Sequence, residues 1–342
     1  MTGSALPFPL AVSLGDPAGI GPELIAEAWA RRVEERLPPF FTVGGAGLLV
    51  AAGRTRGIDL PIERIGEPAE AAQVFASALP VFGHLDADHT PGDPSEAGAR
   101  LALASLETAT ALSVQGEAAG LVTGPIAKSE LAKIGFAYPG QTEFVAAASG
   151  VAAEDAVMML AGPSLRTVPM TVHCALSEVP GRLNAELILR RCMIVARAMQ
   201  RDFGLRHPRL AICGLNPHAG ENGRMGREEI EMIGPAVEAL RSEGIEATGP
   251  LPADSLFAPR MRATYDVAIA MYHDQALVPL KALDFDQGVN VTLGLPTIRT
   301  SPDHGTAFAI AGKGVAEPGA MIAALRMAGE MAERRAAYTR PS

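Results

Sequence analysis

The sequence predicts an α/β protein with two lobes, in which a mostly parallel sheet lies between layers of helices in a three-layer α/β/α arrangement. Short apolar segments alternate with longer segments of helical period along nearly the whole chain, and Gly, Pro, Asp or His bounds each apolar segment. The length of 342 residues corresponds to two domains at roughly 150 residues each. These two observations favour two interleaved lobes over a small or a disordered protein.

The apolar segments predicted as strands are short and end at turn-forming residues. They are Leu10–Leu14, Phe40–Val43, Leu79–Phe82, Gly120–Val122, Val157–Leu160, Thr167–Val172, Leu210–Cys213, Val267–Met271 and Val289–Leu293. Segments in which apolar residues recur at helical spacing are predicted as helices. They are Pro22–Leu37, Glu96–Leu112, Asn184–Met199, Arg227–Arg241 and Ala320–Tyr338. The glycine-rich segment 44–47 lacks the spacing of a dinucleotide fingerprint and is predicted as a turn.

The charge balance excludes several classes of function. Lys and Arg total 29 against 38 Asp and Glu, which gives a net charge of −9, and no segment gathers the basic residues. Nucleic-acid and anionic-membrane binders need clustered positive charge, so neither partner is expected. No segment approaches the ~20 apolar residues of a membrane span, and the N-terminus lacks the pattern of a secretory signal. With three cysteines expected as free thiols, we predict a cytoplasmic protein.

Three of the seven histidines follow predicted strands of the same sheet. His173 follows Thr167–Val172, His218 lies in the loop after the strand that ends at Cys213, and His273 follows the strand that ends at Met271. A single histidine at a strand end is more often a hydrogen-bonded structural residue. Three that converge at one sheet edge could hold Zn²⁺ or a similar divalent ion with a position open for substrate.

Two segments have the features of an anion or cofactor site. Residues 15–23, GDPAGIGPE, join a strand to a helix, and their free amides either hold an anion at the helix N-terminus or form a tight glycine turn. Residues 301–314, SPDHGTAFAIAGKG, resemble the cofactor loop of the isocitrate and isopropylmalate dehydrogenase superfamily, which binds NAD or NADP without a Rossmann fingerprint. This resemblance assigns cofactor contacts to His304, Gly305, Thr306, Ala307 and Gly312.

Further segments extend the resemblance to one family within that superfamily. They are GDPAGIGPE (15–23), TGPIAK (123–128), GLNPHAGE (214–221), GPLPADSLF (249–257), MYHDQ (271–275), GVNVTLGLPTIRTSPDHGTA (288–307) and AGKG (311–314). In this order they resemble the 4-hydroxythreonine-4-phosphate dehydrogenase family, from residue 15 to the C-terminal helix. The resemblance implies an isocitrate/isopropylmalate dehydrogenase-like fold, NAD or NADP, one divalent metal (Zn²⁺, Co²⁺ or Mg²⁺), and a homodimer with its site at the subunit interface.

The activity implied by the resemblance belongs to pyridoxal phosphate biosynthesis. The small phosphorylated substrate 4-phosphohydroxy-L-threonine is oxidised to 2-amino-3-oxo-4-phosphooxybutanoate, which loses CO₂ to give 3-amino-2-oxopropyl phosphate. The resemblance places the metal ligands on His173, His218 and His273, and the catalytic groups on Asp254, as base, and Lys281. It places the substrate contacts on Gln141, Thr142, Lys281, Asn290 and Arg299. Lys128, in the TGPIAK turn, is a further candidate for phosphate binding or proton transfer.

One position departs from the family pattern. The family commonly has GHTEF where this chain has Gly140-Gln141-Thr142-Glu143-Phe144. An amide forms hydrogen bonds but carries no charge near pH 7. The departure keeps a second activity open, a dehydrogenase or decarboxylase of another phosphorylated hydroxy acid, such as erythronate or threonate 4-phosphate, or of a cis-diol.

The first lobe is expected to be discontinuous in sequence. We expect residues 1–128 and 300–342 to form the first lobe and residues 129–299 the second, with the metal and substrate residues in the second and the site between the lobes. A metal-dependent hydrolase or a non-catalytic phosphate-binding protein is the alternative from another class, because three histidines and a metal would also serve hydrolysis.

Overall fold

The computed structural model of the chain describes residues 8–339. The chain folds into two compact units. The first consists of the chain up to Ala156 together with Leu295–Ala337, and the second of Val157–Gly294 with the described residues Tyr338 and Thr339. The N-terminal segment on which the prediction about a secretory signal rests begins outside the described residues.

The described residues form twelve strands and thirteen α-helices. The strands are β1 (Leu10–Ser13), β2 (Phe40–Val43), β3 (Ile62–Ile65), β4 (Leu79–Phe82), β5 (Leu121–Thr123), β6 (Val157–Ala161), β7 (Arg166–Pro169), β8 (Arg209–Cys213), β9 (Glu246–Leu251), β10 (Val267–Ala270), β11 (Val289–Leu293) and β12 (Arg299–Pro302). The helices are α1 (Gly21–Ala30), α2 (Ala46–Thr55), α3 (Ala71–Val74), α4 (Glu96–Val114), α5 (Lys128–Lys133), α6 (Gln141–Ala148), α7 (Val179–Arg182), α8 (Ala185–Arg201), α9 (Gly234–Ser242), α10 (Ala253–Leu256), α11 (Pro259–Arg262), α12 (His273–Asp284) and α13 (Gly319–Tyr338).

The strands of the first unit are all parallel and lie in the order β3-β4-β2-β1-β5-β12. The central strands β1 and β2 are buried at every position, which suits parallel strands that are covered on both faces. Helix α4 begins where the Ser95 hydroxyl accepts a hydrogen bond from Gly98 N, which caps a free backbone donor of its first turn. A parallel sheet therefore fixes which strand ends share an edge in this unit.

The strands of the second unit lie in the order β11-β6-β7-β10-β8-β9. Strand β6 is antiparallel to both of its neighbours, and β7, β10, β8 and β9 are parallel to each other. The loops that carry the three predicted metal ligands follow β7, β8 and β10. Because these three strands are adjacent and parallel, the loops leave the sheet at one edge.

The boundary between the units differs from the predicted one. Residues 129–156 belong to the first unit, because Val145 and Ala146 of α6 pack into the same apolar core as Leu121 of β5. Gln141, Thr142 and Arg299 therefore lie in the first unit, whereas we expected them in the second. The second unit contains His173, His218, Asp254, His273, Lys281 and Asn290.

Some element bounds also differ. Helix α1 ends at Ala30, seven residues before the predicted end, and α2 begins at Ala46, where a turn was predicted, after Gly45 at φ 75°. The segment predicted as one helix up to Arg241 is a π-helix, Glu229–Ile233, followed by α9. Within residues 8–339, no helix combines the length and the apolar character that crossing a membrane requires.

Candidate active site

Two of the three predicted metal ligands meet in one cavity of the second unit. The ring centroids of His173 and His273 are 5.7 Å apart, and the planes are tilted by 42°. Both rings line a cavity of about 440 Å³, together with Cys174, Tyr272 and Asp274. The segment after β7 lies alongside the segment after β10, because their backbones remain hydrogen-bonded beyond the strands.

The His273 ring is oriented by the next residue. Its Nδ1 lies 2.7 Å from Asp274 Oδ1, and His273 is the first residue of α12. With the proton on Nδ1, this nitrogen donates a hydrogen bond to the carboxylate, and Nε2 keeps its lone pair. A carboxylate on the far nitrogen is the usual arrangement of a metal-binding histidine.

His218 lies on the loop after β8, is exposed, and has a left-handed backbone with φ 53°. Among the described residues, no three His, Cys, Asp or Glu side chains are grouped so that they could hold a metal ion. The structure of the single chain thus brings His173 and His273 together and does not group His218 with them.

A buried guanidinium is the main feature of the first unit. Arg299, at the start of β12, is 3% exposed. Its Nη2 donates to Thr123 Oγ1 at 2.8 Å and to Gln141 Oε1 at 2.9 Å, and its Nη1 donates to Thr142 Oγ1 at 3.4 Å. Burial lowers the pKa of Arg299 to about 10, against the opposing effect of Glu143. The guanidinium therefore remains charged at neutral pH.

The first turn of α6 lies beside this guanidinium. The helix begins at Gln141, whose side chain is buried and donates through Nε2 to the carbonyl of Gly124 at 2.9 Å. Free backbone N–H groups and the helix dipole make such an end favourable for anions. Gln141, Thr142 and Arg299, predicted as substrate contacts, thus form one cluster. Thr123, which lies 176 residues from its partner Arg299, was not predicted as a site residue.

The predicted cofactor loop packs against the GDPAGIGPE segment within the first unit. Ile20 N donates to the carbonyl of Thr306 at 3.0 Å, and Gly312 N donates to Glu23 Oε1 at 2.6 Å. A Cβ atom on Gly19 would lie 2.8 Å from the Thr306 carbonyl oxygen, so the close approach requires glycine there. His304 Nε2 is buried and has no hydrogen-bond partner in the described part of the chain.

The other predicted site residues lie on separate helices and strands. Asp254 is exposed in α10, where its Oδ1 accepts from Ser255 N, and Lys281 is exposed on α12. Among the described residues, neither is part of the lining of the histidine cavity. Asn290 Oδ1, in β11, is buried and finds no hydrogen-bond partner within residues 8–339. Lys128 is exposed at the start of α5.

The chain resembles known proteins over nearly its full length. The family model described as "Pyridoxal phosphate biosynthetic protein PdxA" matches residues 37–328. The chain is 61% identical over 328 residues to the 4-hydroxythreonine-4-phosphate dehydrogenase of Erythrobacter litoralis, which covers 96% of this chain and 98% of the relative. The chain belongs to the PdxA family. A second relative with the same name, from Zymomonas mobilis, is 53% identical and covers 98% of both chains.

Solved structures agree with the assignment to the PdxA family. The crystal structure of 4-hydroxythreonine-4-phosphate dehydrogenase from Klebsiella pneumoniae superposes with a TM-score of 0.85 at 37% identity, over 97% of this chain and 100% of that one. A terephthalate 1,2-cis-dihydrodiol dehydrogenase from Burkholderia xenovorans superposes with a TM-score of 0.64 at 29% identity, over 94% and 97% of the two chains. The PdxA family fold thus also occurs in a dehydrogenase that is named for a different substrate.

Proposed function

We propose that this chain is an NAD(P)-dependent 4-hydroxythreonine-4-phosphate dehydrogenase, an oxidoreductase of pyridoxal phosphate biosynthesis. It oxidises the secondary hydroxyl of 4-phosphohydroxy-L-threonine to give 2-amino-3-oxo-4-phosphooxybutanoate, which loses CO₂ to form 3-amino-2-oxopropyl phosphate. The observation that carries the proposal is 61% identity, over 96% of the chain, to a relative of that name.

In this proposal the Arg299 cluster binds an anionic group of the substrate. The guanidinium supplies a fixed positive charge, and the Thr142 hydroxyl and the first turn of α6 supply further hydrogen-bond donors. Lys281 and Asn290 are proposed as additional substrate contacts, and the buried Oδ1 of Asn290 is an acceptor that a substrate donor would satisfy. Gln141, predicted as a substrate contact, accepts from Arg299 Nη2 and is proposed to hold the guanidinium in place at the substrate.

His173, His218 and His273 are proposed to hold one divalent metal ion. The two rings that share a cavity fit such an ion, and imidazole donors favour Zn²⁺ or Co²⁺ over Mg²⁺. A bound divalent ion lowers the pKa of a coordinated hydroxyl. Asp274 orients the His273 ring through the contact with His273 Nδ1. Asp254 is proposed as the base that takes the hydroxyl proton, with Lys281 as a second catalytic group.

The loop with His304, Gly305, Thr306, Ala307 and Gly312 is proposed to bind NAD or NADP. The nicotinamide supplies the hydride acceptor. The loop is held by the hydrogen bonds that it receives from Ile20 and gives to Glu23. We also propose that the protein acts as a homodimer in which residues of both subunits complete each site.

The proposal is tested by following NADH or NADPH formation with 4-phosphohydroxy-L-threonine and added Zn²⁺ or Co²⁺. We expect turnover in the wild type and its loss in the His173→Ala and His273→Ala variants. His207→Ala, in an exposed loop, is the matched control and retains turnover. A wild-type protein that binds NADH but leaves this substrate unoxidised would contradict the assignment.

A second candidate substrate class is favoured by one observation, the similarity to the cis-dihydrodiol dehydrogenase. The same assay with a cis-diol and with erythronate or threonate 4-phosphate ranks these substrates by kcat/KM. The hydrolase alternative predicts no saturable change in nicotinamide fluorescence when NADH is titrated into the protein.

A further inference from the structure

We infer that Gln275 and Glu229 are positioning residues, which set where His218 stands relative to His273. The inference rests on the proposed function, because it concerns two of the histidines to which that function assigns a metal. Neither residue carries a predicted role, and both are buried within the second unit. Each forms hydrogen bonds to backbone groups of the loop that precedes His218.

Gln275 joins the two histidine-bearing loops. It lies two residues after His273 in α12 and is 9% exposed. Its Oε1 accepts from Met271 N, directly after β10, at 2.7 Å, and its Nε2 donates to the carbonyl of Gly214 at 2.9 Å. Gly214 is the first residue after β8, four residues before His218. One buried amide therefore fixes the separation of the two loops at their bases.

The loop beyond Gly214 has an unusual backbone. The segment 218–222 has positive φ throughout, with values between 43° and 76°, and only Gly220 of these five residues is a glycine. Left-handed helical backbone is disfavoured for residues with a Cβ atom, because the Cβ lies too close to the following carbonyl oxygen. The four other residues stay in this conformation only if the surrounding structure holds the turn in place.

Glu229 holds the beginning of the loop that contains this turn, together with Glu228, whose Oε2 accepts from Asn216 Nδ2 at 2.7 Å. The Glu229 side chain is 4% exposed; its Oε1 accepts from Asn216 N at 2.8 Å, and its Oε2 accepts from Asn216 Nδ2 at 3.0 Å. A Cβ atom on Gly220 would lie 2.5 Å from Oε2, and one on Gly214 would lie 3.1 Å from Oε1. The carboxylate is thus enclosed by the beginning and the middle of the loop.

The two contacts converge at one point of the backbone. Gln275 binds the carbonyl of Gly214, and the Glu229 carboxylate lies against the same residue. The rest of the loop closes through the hydrogen bond from Ala219 N to the carbonyl of Asn216 at 3.1 Å. A change at Gln275 or Glu229 therefore displaces His218 without removing any histidine. Partners that orient metal ligands affect metal affinity by about 10–100-fold.

The test titrates Co²⁺ into metal-free full-length protein and records the visible absorption of the bound ion and the metal stoichiometry. Glu229→Gln keeps the size of the side chain but turns an amide donor toward donors on Asn216. Gln275→Met removes the link to Gly214. We expect both variants to bind Co²⁺ 10–100-fold more weakly than the wild type and to change its absorption spectrum, with the secondary structure retained by circular dichroism.

The controls are Glu231→Gln, which is exposed on the same segment as Glu229, and Gln287→Met, which is exposed after α12. Both should bind Co²⁺ within twofold of the wild type. Unchanged affinity and spectrum in Glu229→Gln and Gln275→Met, with weaker binding in His218→Ala and His273→Ala, would overturn the inference alone. If Gln275→Met does not fold, the Glu229→Gln result decides. Wild-type affinity in every histidine variant would overturn the proposed metal site together with the inference.

Discussion

Gln141 Oε1 lies 2.9 Å from Arg299 Nη2, and the same amide donates through Nε2 to the carbonyl of Gly124. Both ends of the Gln141 side chain are thus engaged inside the first unit. The side chain is 9% exposed and its Oε1 accepts from Arg299, so it fixes the direction of the guanidinium beside it.

Replacing this amide by a carboxylate should weaken substrate binding. In Gln141→Glu a negative charge would face Arg299 and offset the positive charge available to the substrate. We expect the KM for 4-phosphohydroxy-L-threonine to rise at least about tenfold, which corresponds to about 1.4 kcal/mol, with a smaller effect on kcat. Steady-state kinetics measure both constants. Gln115→Glu, exposed after α4, is the control, and an unchanged KM in Gln141→Glu would refute the role of the cluster.

The same position should control the pH dependence of binding. Glutamine does not titrate, and Arg299, with its pKa at about 10, keeps its charge from pH 6 to 8. In Gln141→His an imidazole would gain a proton as the pH falls through about 6.5. The ratio of the KM of this variant to that of the wild type cancels the titration of the substrate itself. We expect this ratio to vary between pH 6 and 8, and a constant ratio would contradict the argument.

The strands predicted from the sequence are buried and mostly apolar. The strands that were not predicted contain polar or charged residues. Strand β12 has the sequence RTSP, yet it is buried, since Thr300 Oγ1 donates to the carbonyl of Ala324 and Arg299 binds Thr123. Strand β9 contains Gly249 and Pro250, which disfavour a strand prediction, and β3 exposes two charged residues. These strands depend on partners distant in sequence.

Part of the candidate site could also be predicted from the sequence. Three histidines after parallel strands indicated a shared sheet edge, and the order β7-β10-β8 accounts for the meeting of His173 and His273. The left-handed turn that carries His218 leaves no periodic signal, and the loop before it is bound at Asn216 by Glu229 from a later segment. The chain's own sequence likewise gave no sign that Thr123 would bind Arg299.

The contact between Glu23 and the cofactor loop should affect nicotinamide binding. Glu23 lies in the first turn of α1, and its Oε1 accepts from Gly312 N at 2.6 Å. Glu23→Gln keeps the shape but replaces a charge-assisted hydrogen bond by a neutral one, at a cost of about 1 kcal/mol. We expect a Kd for NADH about fivefold higher in a fluorescence titration. Glu34→Gln, exposed after α1, should bind as the wild type does, and equal Kd values for all three proteins would exclude this role.

A buried serine of α4 should contribute to the stability of the first unit. Ser105 is fully buried; its Oγ accepts from Leu14 N at 3.1 Å and donates to the carbonyl of Val43 at 2.7 Å. Ser105→Ala would leave both backbone groups unpaired, which costs about 1–3 kcal/mol in the free energy of unfolding. Urea unfolding measures the loss. Ser77→Ala, whose hydroxyl bonds to the Val74 carbonyl at an exposed site, should change stability little, and equal losses would argue against the burial effect.

An ion pair in the second unit should make stability depend on acid pH. Asp266 accepts from Arg209 N, Nε and Nη2 at 2.8, 3.1 and 2.9 Å. Burial raises the pKa of the Asp266 carboxyl, but the hydrogen bonds and charge of Arg209 outweigh it, so the pKa lies below its ordinary value of 3.8. The unfolded chain then binds the proton more tightly. The stabilisation is therefore complete well above pH 3.8 and is lost as the pH falls through that value toward the lower pKa of the folded state.

Asp266→Asn should therefore lower the free energy of unfolding by about 1 kcal/mol at pH 6, because the pair is partly exposed, and by less at pH 3. Urea unfolding of the wild type, Asp266→Asn, Arg209→Met and the double variant at both pH values forms a double-mutant cycle that isolates the pair. The coupling energy should decline as the pH is lowered. A coupling energy that is equal at pH 6 and pH 3 would mean that the lowered pKa of Asp266 does not contribute to the stability of the fold.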